Sequence, residues 1–168
     1  MRFHLTAGFF VLLLCSSFAL AQQQTTTGPT ADGQPSQAVV HFYRYKQFVG
    51  SALAPSIFCD GTQLARMENG RYFSVKLAPG KHTLTSNDQQ SGVELDAKAG
   101  EEYFVRVELA AGVMKGHGRL ILMSREQGSF EMRSDKLKPL DANKIADKTM
   151  VSTDAPHLQT TALEDTKK

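Results

Sequence analysis

The sequence predicts an all-β fold: a single antiparallel β-sandwich of about eight short strands, with a signal peptide before it and disordered N- and C-terminal segments around it. Three observations predict it. Apolar and polar side chains alternate at period two through the middle of the chain, so each run offers one apolar face. The runs are separated by Asp60-Gly61, Asn69-Gly70 and Pro79-Gly80, dipeptides that suit tight turns. Between residues 38 and 134 no stretch keeps apolar residues at helical spacing for three turns.

Taken in order, residues 1–21 have the character of a secretory signal: Arg2 near the start, an apolar run from Leu5 through Leu14, and Ala19-Leu20-Ala21 supplying small residues before a cut at Gln22. The alternative is a retained membrane anchor, since the apolar run is long enough for a thin bilayer. Lipidation at Cys15 is disfavoured, because Leu14 stands where a small residue is needed. Residues 22–37, rich in Gln, Thr, Gly, Pro and Ser, form a flexible linker.

Residues 38–134 are the globular candidate. Strands are expected over 39–46, 71–77, 81–86, 93–97, 103–109, 119–125 and 130–133. A hairpin joins Ser56-Ile57-Phe58-Cys59 to Thr62-Gln63-Leu64-Ala65 through Asp60-Gly61. Gly92, Gly100, Gly116 and Gly128 mark further turns. Residues 135–168 are a polar, mostly disordered tail, with a short helix over 141–148 that Asp141 caps.

Composition narrows the function. The chain has 168 residues, a formal net charge of +2 and 41% hydrophobic residues, enough for one domain with a real core. The balanced charge gives no footprint for nucleic acid. Cleavage would remove Cys15 and leave Cys59 alone, so no internal disulfide is available and the core must hold the fold.

The order of short motifs carries a resemblance. Phe42-Tyr43-Arg44, Phe58-Cys59-Asp60-Gly61, Asn69-Gly70-Arg71-Tyr72-Phe73, Leu77-Ala78-Pro79-Gly80-Lys81-His82 and Ala99-Gly100-Glu101-Glu102-Tyr103-Phe104-Val105-Arg106 follow one another in turn. This series resembles the bacterial domain of unknown function 2846 family, found in secreted proteins and lipoproteins, over residues 39–122. It is more loosely similar to PEGA modules and to Ig- or prealbumin-like sandwiches. The resemblance implies a small envelope sandwich and carries no catalytic residues.

The residues offer little chemistry of their own. Cys59, Asp60 and His82 are the one nucleophile, carboxylate and base set, but Cys59 shares a strand face with Ile57 and reads as a buried small hydrophobe. His82, just after Pro79-Gly80-Lys81, is placed to tie that turn to a neighbouring strand. His41 and His117 are scattered, and no zinc-type ligand spacing occurs, so no metal or cofactor is expected. Residues 112–118 are glycine-rich, but the Lys-Ser/Thr ending and following helix of a phosphate loop are missing. Glu101-Glu102 and Glu94/Asp96 read as solvated carboxylates. Tyr43, Tyr45, Tyr72 and Phe104, with Arg44 and Arg106, are expected to form an exposed aromatic–basic patch suited to a protein or a sugar face.

The resulting expectation is an exported protein, periplasmic or extracellular. It would be a non-enzymatic binding or structural accessory module of the bacterial envelope whose partner is an envelope protein or a glycan. Membrane contact is expected only if the signal is retained. The alternatives are a thiol-dependent or other small hydrolase using Cys59 and His82, and a small-ligand carrier.

Overall fold

The computed structural model describes residues 36–87, 92–110, 117–134 and 136–154. The signal segment, nearly all of the linker, most of the glycine-rich 112–118 loop and residues 155–168 lie outside the described residues. Eight longer strands come first in chain order: β1 (Ala38–Tyr43), β2 (Ser56–Cys59), β3 (Thr62–Arg66), β4 (Arg71–Leu77), β5 (Gly80–Ser86), β6 (Gly92–Ala97), β7 (Glu102–Ala110) and β8 (His117–Met123). A helix α1 (Arg125–Ser134) and two short strands, β9 (Lys138–Pro139) and β10 (Val151–Ser152), complete the described chain.

The strands form two sheets. The larger runs β10-β4-β1-β7-β8, with β9 also on β4, and the smaller runs β3-β2-β5-β6. The sandwich expected from the alternation is therefore present, with one departure. The sheets are not purely antiparallel, because β1 pairs parallel to β7 from Val39↔Glu102 to Tyr43↔Arg106, and the short β9 pairs parallel to β4. Period-two patterning fixes which face a side chain takes but says nothing of strand direction, so this pairing leaves no mark in the sequence.

The core lies between the sheets. Val40, Phe42, Phe73, Val75, Val105 and Val107 of the larger sheet meet Ile57, Cys59, Leu64, Leu84 and Leu95 of the smaller one. Phe42 and Phe73 stack with ring centroids 5.0 Å apart. Burial of each such side chain contributes about 1.5–3 kcal/mol.

Two expectations are corrected. Residues 130–133, read as a strand, belong to α1, and Gly128 is a helix position instead of a turn. The helix begins at Ser124, whose hydroxyl accepts the Gln127 amide at 3.2 Å. It lies so close to β7 that a Cβ on Gly128 would fall 2.3 Å from Phe104 Cβ. With apolar Phe130 and Met132 spaced by two, the segment imitates a strand.

The tail is the second correction. Residues 136–154 pack on the sandwich: Leu140 and Val151 join the core, β9 and β10 pair with β4, and Ala146 N donates to Leu64 O at 2.9 Å on β3. In place of a helix over 141–148 there is one 3-10 turn, Ala142–Lys144, and Asp141 makes no side-chain cap. Its carboxylate instead accepts from Arg71 at 3.2 Å. No helix among the described residues is long and apolar enough to cross a membrane.

Candidate functional site

The expected aromatic–basic patch is not on the surface. Tyr43, Tyr72, Phe104 and Arg44 are buried, and Tyr45 and Arg106 are half-buried. Alternation does turn Tyr43, Tyr72 and Phe104 away from the core between the sheets. However, α1 then covers that face of the larger sheet, and Met132 packs with them into a second apolar cluster flanked by Tyr45, Met123 and Leu137.

Glu131 of α1 supplies the polar half of this layer. It accepts from Tyr43 Oη at 2.6 Å, Gln127 Nε2 at 2.6 Å and Arg106 Nη1 at 3.0 Å. Arg106 also pairs with Glu108 at 2.7 Å and stands over the Tyr45 ring at 5.7 Å. Burial works to raise the Glu131 carboxyl, but the donors from Gln127, Tyr43 and Tyr45 and the Arg106 charge outweigh it and hold it at about 2. This network fastens a helix to a sheet.

Arg44 has a different task. Its buried guanidinium, with no carboxylate partner among the described residues, donates to the carbonyls of Leu53 at 2.5 Å, Gly50 at 2.9 Å and Met67 at 3.3 Å. Burial lowers its pKa from the ordinary arginine value. A second clamp holds the same loop: Gln47 N donates to Asn69 Oδ1 at 2.9 Å, and Asn69 Nδ2 donates to Gln47 O at 2.7 Å. The loop so fixed carries Phe48 at 96% exposure and Val49 at 84%, with Leu53 at 40% beside them. Sequence reasoning passes over Phe48 and Val49 because they lie beyond the end of β1, where alternation no longer assigns a face.

Cys59, Asp60 and His82 do meet. The β2–β3 turn places Asp60 and Gly61 at φ +50° and +79°, the left-handed pair that Asp-Gly favours. From there the Asp60 carboxylate reaches β5. Its Oδ1 accepts the Thr83 amide at 2.8 Å and its Oδ2 lies 2.7 Å from His82 Nδ1. The Cys59 thiol donates to the same Oδ2 at 3.6 Å. His82 Nε2 is 2.8 Å from Ala78 O, so the ring ties the β4–β5 turn to the β2–β3 turn.

This arrangement does not activate the thiol. Cys59 is buried, and burial followed by the Asp60 charge pushes its pKa up to about 12. The bonds to Asp60 and Ala78 raise His82, and the Thr83 amide and the His82 bond lower Asp60. His41 lies elsewhere, beneath the helix layer, bonded to Ser74 Oγ at 2.8 Å, and burial lowers its pKa. Beside His82 opens a depression of about 440 Å³, lined also by Lys81, Thr83, Glu94, Leu95 and Asp96.

Comparison with known proteins agrees with the order of motifs. The chain is similar to an uncharacterized protein of Haemophilus influenzae, 23% identical over 121 residues that cover 70% of this chain and 72% of the relative. No solved structure matches. The model of the family described as protein of unknown function (DUF2846) matches residues 34–119, from just before β1 into β8. That span is just over half of the chain, and with the motif series from Arg44 to Arg106 inside it, the chain belongs to the DUF2846 family.

Proposed function

We propose that this protein is a non-enzymatic binding module of the bacterial cell envelope, exported through residues 1–21, and that it holds a protein partner by the loop carrying Phe48 and Val49. The observation that carries this reading is the pairing of exposure with fixation. A Phe and a Val at a loop tip are costly to expose to water, and here the loop is pinned by Arg44 and Asn69 so that the two cannot fold back onto the core. A pre-organised apolar anchor loses little entropy on docking, and an aromatic side chain entering a partner's pocket supplies most of the energy of such a contact. A protein pocket suits the aliphatic Val49 better than a sugar face does. The rival thiol hydrolase is opposed by the protonated, buried Cys59 thiol, and a ligand carrier by the side-chain-filled space between the sheets.

The test is cross-linking in the native cells, followed by purification through a C-terminal tag and mass spectrometry, for wild type and for the Phe48→Ser/Val49→Ser double variant. One dominant envelope protein is expected with wild type and absent from the variant, while both chains melt at the same temperature. An identical cross-linked set from the two chains would overturn the docking loop. A purified chain still carrying residues 1–21 would overturn cleavage at Gln22.

A further inference from the structure

The Cys59–Asp60–His82 cluster has a chemistry that the binding reading does not use. A thiol sulfur, a carboxylate oxygen and an imidazole nitrogen, one from each residue, all lie within 4.8 Å of one another. We propose that these three side chains form a binding site for a borderline-soft divalent cation of the zinc class, with Cys59 Sγ, Asp60 Oδ2 and His82 Nδ1 as ligands and a fourth position open to water.

Three features beyond proximity support it. First, a carbonyl oxygen only accepts, so the ring nitrogen facing Ala78 O at 2.8 Å carries a hydrogen. That leaves Nδ1 as the atom turned toward Cys59 and Asp60, and a backbone carbonyl on the distal nitrogen is the usual way a metal-binding imidazole is oriented. Second, the carboxylate is held in the same manner. Asp60 Oδ1 is occupied by the Thr83 amide at 2.8 Å, so Oδ2 is the oxygen directed at both other donors. Third, the mixed set of sulfur, nitrogen and oxygen matches zinc in preference to magnesium or calcium, which take oxygen ligands.

The distances are within reach of coordination. Bond lengths to zinc of about 2.0–2.3 Å place tetrahedral ligands about 3.3–3.7 Å apart. Sγ and Oδ2 are already 3.6 Å apart. Nδ1 and Oδ2, now 2.7 Å apart across a hydrogen bond, need to open by about half an ångström. Entry is from the Asp60 side, whose side chain is 50% exposed, next to the depression that His82 lines. Binding exchanges protons for the ion: the Cys59 thiol gives up its proton, the proton held between His82 Nδ1 and Asp60 Oδ2 is displaced, and both leave to solvent. The site then joins the β2–β3 turn to β5 by metal–ligand bonds where a hydrogen bond stands now.

The experiment is a titration of the tag-free full chain, kept reduced, with Zn2+ followed by calorimetry and with Co2+ followed by absorption. One equivalent of either ion is expected, and the cobalt form should show the thiolate-to-metal charge-transfer band that reports Cys59 as a ligand. His82→Gln and Asp60→Asn should each weaken zinc by about tenfold or more, and Cys59→Ser should abolish the band. The wild-type melting temperature should rise with added zinc, since an ion bound by the folded chain stabilises it. Absence of stoichiometric binding would overturn the site, as would a cobalt spectrum without the thiolate band. Because Cys59 is buried and its variant is the one most exposed to misfolding, the other two keep the test decisive. A folded His82→Gln or Asp60→Asn chain that binds zinc as tightly as wild type refutes the assignment.

Discussion

Glu131 is an acidic residue whose whole hydrogen-bonding capacity is spent inward, on Tyr43, Gln127 and Arg106. Its carboxyl titrates at about 2 when folded and at the ordinary 4.5 when unfolded. The folded value is the depressed one, so the stabilisation is complete above about pH 4.5 and fades as pH falls toward 2. Glu131→Gln should therefore lower stability by about 2 kcal/mol at neutral pH. The gap between the two melting curves should close as pH drops through that window. A gap that stays constant down to pH 2 would show that the charge of Glu131 is not what anchors the helix. At this scale the sequence was partly legible. Cys59, Asp60 and His82 were legible as a set of residue types, but their meeting follows from the pairing of β2 with β5, which the strand patterns alone do not announce. The fate of Tyr43, Tyr72 and Phe104 was not, because alternation distinguishes two faces of a sheet without revealing that a helix covers the second.

At the scale of elements, α1 is the least readable part of the chain and the most informative about packing. Its apolar residues are too few to show a helical period, and beside Met132 its attachment rests on a polar residue, Glu131, and on an absent side chain at Gly128. Only the Ser124-Arg125-Glu126-Gln127 start, a capping residue followed by acidic and amide groups, betrays it. An exposed helical Gly→Ala change normally adds up to about 1 kcal/mol of stability. Gly128→Ala should do the reverse. The new methyl meets the base of the Phe104 side chain at 2.3 Å, where no rotamer change relieves the clash, so a loss of about 1–3 kcal/mol is expected. Thermal melting decides the sign. The strands, by contrast, were legible almost to their ends. β4, β5, β6 and β7 follow their period-two runs closely, because each must present one face to a common interior.

For the whole molecule, the segment after α1 closes one side of the sandwich, lying on β4 of one sheet and on β3 of the other. Unpaired strand edges invite association with other chains, and here both are occupied by the protein's own backbone. Ending the chain after Ser134 would strip Leu140 and Val151 from the core and bare both edges. We expect a loss of about 3 kcal/mol or more, a melting temperature lower by about 10 °C, and concentration-dependent association in light scattering. A truncated chain that stays monomeric and melts like the full one would mean that the segment is dispensable. The segment escaped sequence reading because its buried and half-buried apolar residues, Leu140, Val151, Ile145 and Met150, keep no period; they fill gaps left by others. The parallel pairing of β1 with β7 reaches further. The first strand of the domain occupies the centre of the larger sheet, and both of its neighbours come later, β7 only after some sixty residues. A chain emerging N-terminus first from a narrow passage can therefore pair its first strand with β4 early, but the opposite edge of that strand stays open until Arg106 has come through, and the larger sheet closes only when β7 arrives.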